Sequence, residues 1–222
     1  PKDDNGHRIG PLVAYRGTYF TSNQEKRYVG EEYWNFSQVE QYPHMLDYFS
    51  LRLCCKILNR MFSASKTVDV ILAAPMGGIL ITSSLARVLQ CRNIFAEKKL
   101  NMWKGSLFVL DRHKIYKGDD VLILEDVINN FSTTEKLIEL VEMREGNVRA
   151  ICCVLNRSSK TSYGQKEIPV LSVVDAPTAQ YVQEDPRVVS DIASGNIIWN
   201  PKEEWQILMS YIKQQGSNIC AE

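Results

Sequence analysis

The stretch "KGDDVLILEDVINNFSTTEKL", Lys117 to Leu137, decides how the rest of the chain is read. A continuous apolar run, Val121–Leu124, meets two acids, Glu125 and Asp126, and then a loop carrying Asn129, Asn130, Phe131, Ser132, Thr133 and Thr134. Apolar runs without alternation suit strands buried on both faces, the strands of parallel sheets covered by helices. In open sheets of that kind ligands sit beyond the carboxyl ends of the strands, where Glu125 and Asp126 stand. Two neighbouring carboxylates there repel one another without a cation or hydroxyl partner. The helix start behind them offers unpaired backbone N–H groups, a ready phosphate site. Carboxylates beside it suit ribose hydroxyls or Mg²⁺, so the stretch describes a cradle for a sugar phosphate. "STTE", Ser132 to Glu135, has a second reading as a capping box that satisfies the helix's own orphan N–H groups.

Working outward, four more apolar runs read as strands: Val68–Ala74, Asn93–Glu97, Arg149–Leu155 and Pro169–Asp175. With Val121–Asp126 they predict a mainly parallel five-stranded sheet. Ile79–Leu89 is long enough for a crossover helix. "TTEKLIELVEMREG" predicts another, with Leu137, Ile138, Leu140 and Val141 on one side and Gly146 as its stop. "PHMLDYFSLRLCCKILNRMF" predicts a helix with Pro43 in its first turn and Leu46, Phe49, Leu53 and Ile57 on one face. Strands alternating with helices make the class α/β. One domain is expected: a small cap over about residues 1–42, a core over 43–175, and an extension over 176–222. The extension ends in a helix from Asn200 and Pro201, with Trp205, Leu208, Met209 and Ile212 as its packing stripe.

Lys+Arg and Asp+Glu balance at 26 each, so no global field favours nucleic acid or an anionic membrane, and an anionic ligand needs a local cluster. Six cysteines without a C-x-x-C and only three histidines give no zinc spacing. Cys152 and Cys153 sit in an apolar strand as core residues, which favours a reducing, cytoplasmic compartment. No apolar run approaches the roughly 18 residues of a membrane span. The chain opens at Pro1 without a methionine, which leaves room for a leader upstream. A receiver domain also carries an acidic strand like "VLILEDV", but the late lysine-bearing strand it needs is missing.

"VLILEDVINNFSTTEKL" resembles the phosphoribosyl pyrophosphate signature of type I phosphoribosyltransferases. "ILAAPMGGILITSSLA" resembles that family's pyrophosphate loop and the helix after it, and "IFAEKK" with "FVLDRHKIYKGDD" resembles the segment bearing its mobile catalytic loop. "CCVLNRS" and "IPVLSVVDAPTAQYVQED" with "SGNIIWNP" are similar to the later strands and tail of the orotate branch. The resemblance implies a type I phosphoribosyltransferase-like fold with a small N-terminal hood. It also implies Mg²⁺-dependent exchange at the anomeric carbon of phosphoribosyl pyrophosphate, with orotate or a related base as acceptor, in a homodimer. Carried over residue by residue, Glu125 and Asp126 would hold the ribose hydroxyls and help place the cation. Residues Asn129 to Thr134 would wrap the 5′-phosphate, and the backbone of Ala74, Pro75, Met76, Gly77 and Gly78 would meet pyrophosphate. Lys98 would act in catalysis, with Lys99, Lys104, Arg112, His113 and Lys114 as a local basic set, and Arg157 would pair with the acceptor's carboxylate. A solvated basic hairpin and an ordinary surface arginine are the plain alternatives for these cations.

The chain also departs from that pattern. Asn129 and Asn130 stand where the family normally has threonine, Phe131 where it has glycine, and Asn156 where it has an acid. Phenylalanine disfavours the positive φ that glycine permits, so a loop that still takes a phosphate must turn the ring away from it. Two functions follow: an active orotate-type phosphoribosyltransferase, or a protein of that fold that binds a nucleotide or phosphoribosyl ligand without turnover.

Overall fold

A computed structural model describes residues 8, 10–22, 24–62, 68–101 and 105–211. In chain order the elements begin with β1 (Leu12–Phe20), β2 (Glu25–Gly30), α1 (Pro43–Phe62), β3 (Val70–Ala73) and α2 (Gly78–Leu89). Next come β4 (Arg92–Phe95), β5 (Glu97–Asn101), β6 (Gly105–Val109), β7 (Asp120–Ile128) and α3 (Ser132–Glu142). The last are β8 (Asn147–Asn156), β9 (Ser162–Tyr163), β10 (Ile168–Asp175), α4 (Val189–Ala193) and β11 (Ile197–Ile198). They fall into two units, Phe36–Pro177 and the pair of segments Pro1–Asn35 and Thr178–Glu222.

The larger unit is the α/β core. Its sheet has six strands in the order β4-β3-β7-β8-β10-β9. The first five are parallel, as the apolar runs predict. The sixth, β9, pairs antiparallel with β10 and was invisible in the sequence, being two residues long. Alternate residues of the central strands feed two separate cores, which is why the runs are continuous rather than alternating. Val70, Leu72, Val121, Ile123, Ile151 and Cys153 pack with Leu137, Leu140 and Val141 of α3 on one face. Ile71, Leu122, Leu124, Ala150 and Cys152 pack on the other with Leu53 and Ile57 of α1 and Ile81 and Leu85 of α2. The stripe read in α1 holds, with Leu46, Leu53 and Ile57 buried and Phe49 packed against the same core.

Several boundaries move. β7 runs on past the acids to Ile128, because β8 offers it a partner as far as Asn156. Glu97 opens the β5–β6 hairpin instead of closing β4. Gly146 is not the left-handed stop of α3: Glu145 takes that role at φ 58. Gly146 sits in a tight place, since a Cβ there would lie 3.0 Å from side-chain methyls of both Ile115 and Val141.

In the smaller unit, the first forty residues contain more order than their irregular sequence suggests. β1 and β2 form an antiparallel pair, and β11 joins β1 in parallel from the far end of the chain. Gly30 gives way to Tyr15 there, for a Cβ would fall 2.2 Å from the Tyr15 hydroxyl. The last described helix starts at residue 205, after a turn over 201–204. Leu208 is buried and Trp205 packs beside it, while Ile212 lies outside the described residues. Among the described residues no helix is long and apolar enough to cross a membrane.

The left-handed backbone at Glu145 is unfavourable for any residue with a Cβ. Its ion pair with Lys117 is exposed and offers little compensation. Glu145→Gly is therefore expected to raise stability by up to about 1 kcal/mol, read by urea denaturation; an equal loss would show that the Lys117 pair matters more than the dihedral.

Candidate active site

β4 lies on one side of β3, while β7, β8 and β10 lie on the other, so the order of strands reverses between β3 and β7. Such a switch point leaves a crevice at the carboxyl ends, bounded here by the segments that follow β3 and β7. β3 ends with Ala73 opposite Leu124, whereas β7 continues beside β8. Glu125 and Asp126 therefore occupy the part of β7 that has lost its β3 neighbour. The Ala74 N–H donates to the Leu124 carbonyl at 2.9 Å, and the chain then turns through Pro75, Met76 and Gly77 into α2. The turn runs against the acids. A Cβ on Gly77 would fall 2.2 Å from Asp126 Oδ2, and one on Gly78 would fall 2.6 Å from the Leu124 carbonyl oxygen. Both glycines are required by close approach of backbone. Met76, by contrast, is 77% exposed at the tip of the turn.

The two acids are not alike. Asp126 is half-buried, while Glu125 is only 7% exposed and accepts a hydrogen bond from the Thr134 hydroxyl. Burial pushes the Glu125 carboxyl up to about 8, against the pull of the Thr134 hydrogen bond and with a further push from Asp126. A raised Glu125 carboxyl favours its neutral form, which lessens the repulsion that the sequence posed. Thr134 is fully buried and its hydroxyl is committed to Glu125.

The start of α3 differs from the expected capping box. Ser132 is the first helical residue, and Phe131 precedes it with φ 62 and ψ 8 and no side-chain cap. Asn130 supplies the local acceptor instead, its Oδ1 taking the Ser132 N–H at 3.2 Å. Phe131 keeps the left-handed backbone expected of glycine, and its ring, 3% exposed, points into the core and stacks on Tyr163 at 4.4 Å. Ser132 is exposed and Thr133 half-buried on the same turn.

Arg157 is no surface arginine: it is 4% exposed, and its Nη1 donates to Asn129 Oδ1 at 2.8 Å. Its backbone N–H donates to the Ile128 carbonyl, so the ends of β7 and β8 are joined twice. Asn156 beside it donates to the Lys160 carbonyl at 3.0 Å and to Asp175 Oδ1 at 3.1 Å, and accepts from Ser158. An aspartate at 156 would set two carboxylates together, which gives a local reason for the amide. Lys160 and Tyr163 went unmarked as site residues in the sequence because "SSKTSYGQ" carries no periodic signal.

The basic set lies on and after the hairpin that leaves β4. Lys98 is exposed on β5, opposite Phe108. Lys99 pairs with Asp111, Arg112 Nε lies 3.4 Å from Glu97, and His113 sits edge-on to Phe95 at 4.7 Å. Lys114 is exposed, and Lys104 lies outside the described residues. The structure thus gathers the 74–78 turn, the acids, the 129–134 loop and Arg157 around adjoining strand ends, while Lys99 and Arg112 are engaged with acids of their own hairpin region.

Among the described residues no group of three His, Cys, Asp or Glu side chains is arranged to hold a metal ion. A Mg²⁺ carried in on phosphates needs only one or two carboxylates and keeps several waters. Asp126, half-buried against the Gly77 backbone, is a donor that fits, while Glu125 is buried behind it and already accepts from Thr134.

Residues 50–189 match the phosphoribosyl transferase domain family. The chain belongs to that family. An orotate phosphoribosyltransferase of Caldicellulosiruptor saccharolyticus is 30% identical over 127 residues, 57% of this chain and 61% of the relative. One from a Thermoanaerobacter species is 27% identical over 156 residues, 70% of this chain and 75% of the relative. The match thus spans about three fifths of the length of the first relative. The adenine phosphoribosyltransferase of Saccharomyces cerevisiae superposes with a TM-score of 0.52 at 18% identity, covering 74% of this chain and 94% of that one. That of Trypanosoma brucei, solved with AMP, pyrophosphate and ribose-5-phosphate, gives 0.52 at 12% identity, covering 75% and 76%. These two likenesses establish the fold, a type I phosphoribosyltransferase sheet flanked by helices.

The raised carboxyl of Glu125 makes a prediction for stability. Its folded value, about 8, lies above its ordinary 4.5, so between those values the folded state holds a proton that the unfolded chain has lost. Stability falls as pH rises through that window, by up to about 1.4 kcal/mol per pH unit. Glu125→Gln removes the ionisation and keeps the acceptor for Thr134. Melting temperatures are expected to be higher than wild type at pH 8 and to converge with it near pH 4.5; parallel curves would mean that Glu125 ionises freely in the fold.

Proposed function

We propose that this protein transfers a phosphoribosyl group from 5-phosphoribosyl 1-pyrophosphate to orotate or a related base, releasing pyrophosphate and giving the nucleoside 5′-monophosphate. The observation that carries the reading is the contact of the Gly77 backbone with Asp126 at the switch point of the sheet. It sets a glycine turn suited to pyrophosphate against an acid suited to ribose hydroxyls, with the start of α3 following on the same strand. In this reading the 129–134 loop takes the 5′-phosphate with backbone N–H groups, Ser132 and Thr133. Asp126, with the neutral Glu125 as a further hydrogen-bonding group, takes the ribose hydroxyls. The 74–78 backbone receives the pyrophosphate, which leaves with the electron pair of the broken C1–O bond as the base nitrogen, its proton passing to water, bonds to C1. Positive charge grows on the ribose and negative charge on the leaving group, so preorganised opposite charges lower the barrier. Asp126 meets the first and Lys98, on its exposed hairpin, the second. Mg²⁺ held by the substrate phosphates and Asp126 would neutralise charge on pyrophosphate. The names of the relatives favour orotate as acceptor, and Arg157 is the cation that would read its carboxylate.

The second reading, a phosphoribosyl-binding protein without turnover, draws on one observation: Arg157 is already engaged with Asn129. We further propose a homodimer in which the hairpin cations reach the partner's site. The free thiols Cys54, Cys55, Cys91, Cys152 and Cys153 suit the reducing cytoplasm proposed from the sequence.

Pyrophosphate release in the presence of Mg²⁺, phosphoribosyl pyrophosphate and each of several bases decides between the readings. Turnover is expected with orotate, and Asp126→Asn should lower kcat by roughly 100-fold or more while leaving the melting temperature within a few degrees. Ligand binding without release from any base would favour the binder. Mixing Asp126→Asn with Lys98→Ala subunits should restore part of the activity, and a monomer in sedimentation at assay concentration would remove the shared-site arrangement.

A further inference from the structure

Position 131 poses a problem that the chemistry above leaves open. Phe131 stands at φ 62 and ψ 8 immediately before α3, a conformation natural for glycine and unfavourable for an L side chain. Such a backbone persists only where its surroundings over-determine it. Two contacts supply that here. On one side of the helix start, Thr134 is tied to Glu125 inside the sheet. On the other, the Phe131 ring is buried and lies nearly parallel to Tyr163, with centroids 4.4 Å apart and planes 18° apart. The Lys160 ammonium stands 5.8 Å from the Phe131 centroid and 5.6 Å from that of Tyr163, a cation shared by both rings. Tyr163 is itself fixed: it belongs to β9 and pairs with Ile168 of β10, while Asn156 holds the Lys160 carbonyl.

We propose that Tyr163, capped by Lys160, is a positioning residue for the phosphate loop. Stacked on Phe131, it holds residues 129–134 in the left-handed turn that glycine would adopt unaided, so that the Thr133 and Thr134 N–H groups, next after the Ser132 N–H taken by Asn130, are presented to an anion. The stack fixes where the ring lies and hence the direction of the Cα–Cβ bond at 131. The backbone between the end of β7 and the first turn of α3 is then restricted to one path. β9, the strand that the sequence did not reveal, exists in this account to present Tyr163. The inference rests on the reading of this loop as the 5′-phosphate site.

The test uses ribose 5-phosphate as the probe in calorimetry, with amide exchange of residues 131–135 measured on the same proteins. Tyr163→Ala is expected to bind ribose 5-phosphate roughly three- to tenfold more weakly, the range that an aromatic pair is worth. Exchange of the 131–135 amides should quicken by a similar factor, and Tyr163→Phe should restore both. In turnover the loss is expected in KM for phosphoribosyl pyrophosphate with kcat little changed, since the loop grips substrate and transition state alike. Tyr163→Leu, which keeps apolar bulk without a ring to stack, serves where the alanine variant folds poorly and should behave like it. A Tyr163 that only fills space would lower the melting temperature and leave affinity and local exchange untouched, and that result overturns the proposal. A wild type that fails to bind ribose 5-phosphate defeats the functional reading instead. The exchange measurement then judges the brace alone: quickened exchange in Tyr163→Ala that Tyr163→Phe restores upholds it, and unchanged exchange overturns it.

Discussion

The hydrogen bond from Thr134 to Glu125 ties the first turn of α3 to the strand that precedes it, at the point where β7 runs beyond β3. Everything between the two residues is a closed loop whose ends cannot separate. That loop contains Asp126, Asn129, Asn130 and Phe131, so one buried contact fixes the origin of the acid, the amides and the helix terminus together. Burial favours the neutral form of Glu125, which is 7% exposed and pairs across the sheet with Cys153, a neighbour that supplies no cation. A buried acid held by Thr134 beside a half-buried one also separates two positions that the adjacent letters E and D do not distinguish.

From that anchor the fold reaches the opposite wall of the crevice through Gly77. Asp126 has no room for a side chain across from it, and the 74–78 turn can approach only as bare backbone. The switch in strand order between β3 and β7 is what brings these two segments face to face. The site is therefore a property of the topology first and of its side chains second.

Much of this was legible in the sequence. Continuous apolar runs gave the parallel strands because burial on both faces leaves no polar register to alternate, and the paired acids read at a strand tip do stand at the switch point of the sheet. What stayed hidden has physical causes. β9 is too short to show a period, β1 and β2 form a hairpin without a clear alternation, and β11 joins β1 from a distant segment. The ionisation of Glu125 depends on solvent exclusion, which a sequence does not state. Phe131 could be flagged as unfavourable for a left-handed turn, yet the partner that makes the turn tolerable, Tyr163, lies 32 residues away by sequence number in a segment that reads as loop.

The departures from the family pattern are not independent of one another. Asn129 faces Arg157, Phe131 faces Tyr163, and Asn156 faces Asp175 and the Lys160 carbonyl. Each replaced residue has acquired a specific neighbour, and Lys160 links the second contact to the third. A loop released from any ligand would be free to accumulate unsatisfied amides and exposed rings, since nothing would select against them locally. Here the amides are hydrogen-bonded and the ring is buried, while the helix terminus and the Gly77 approach are kept. That combination describes a loop rebuilt around a larger residue, with its constraint moved from the freedom of glycine to the packing of an aromatic pair.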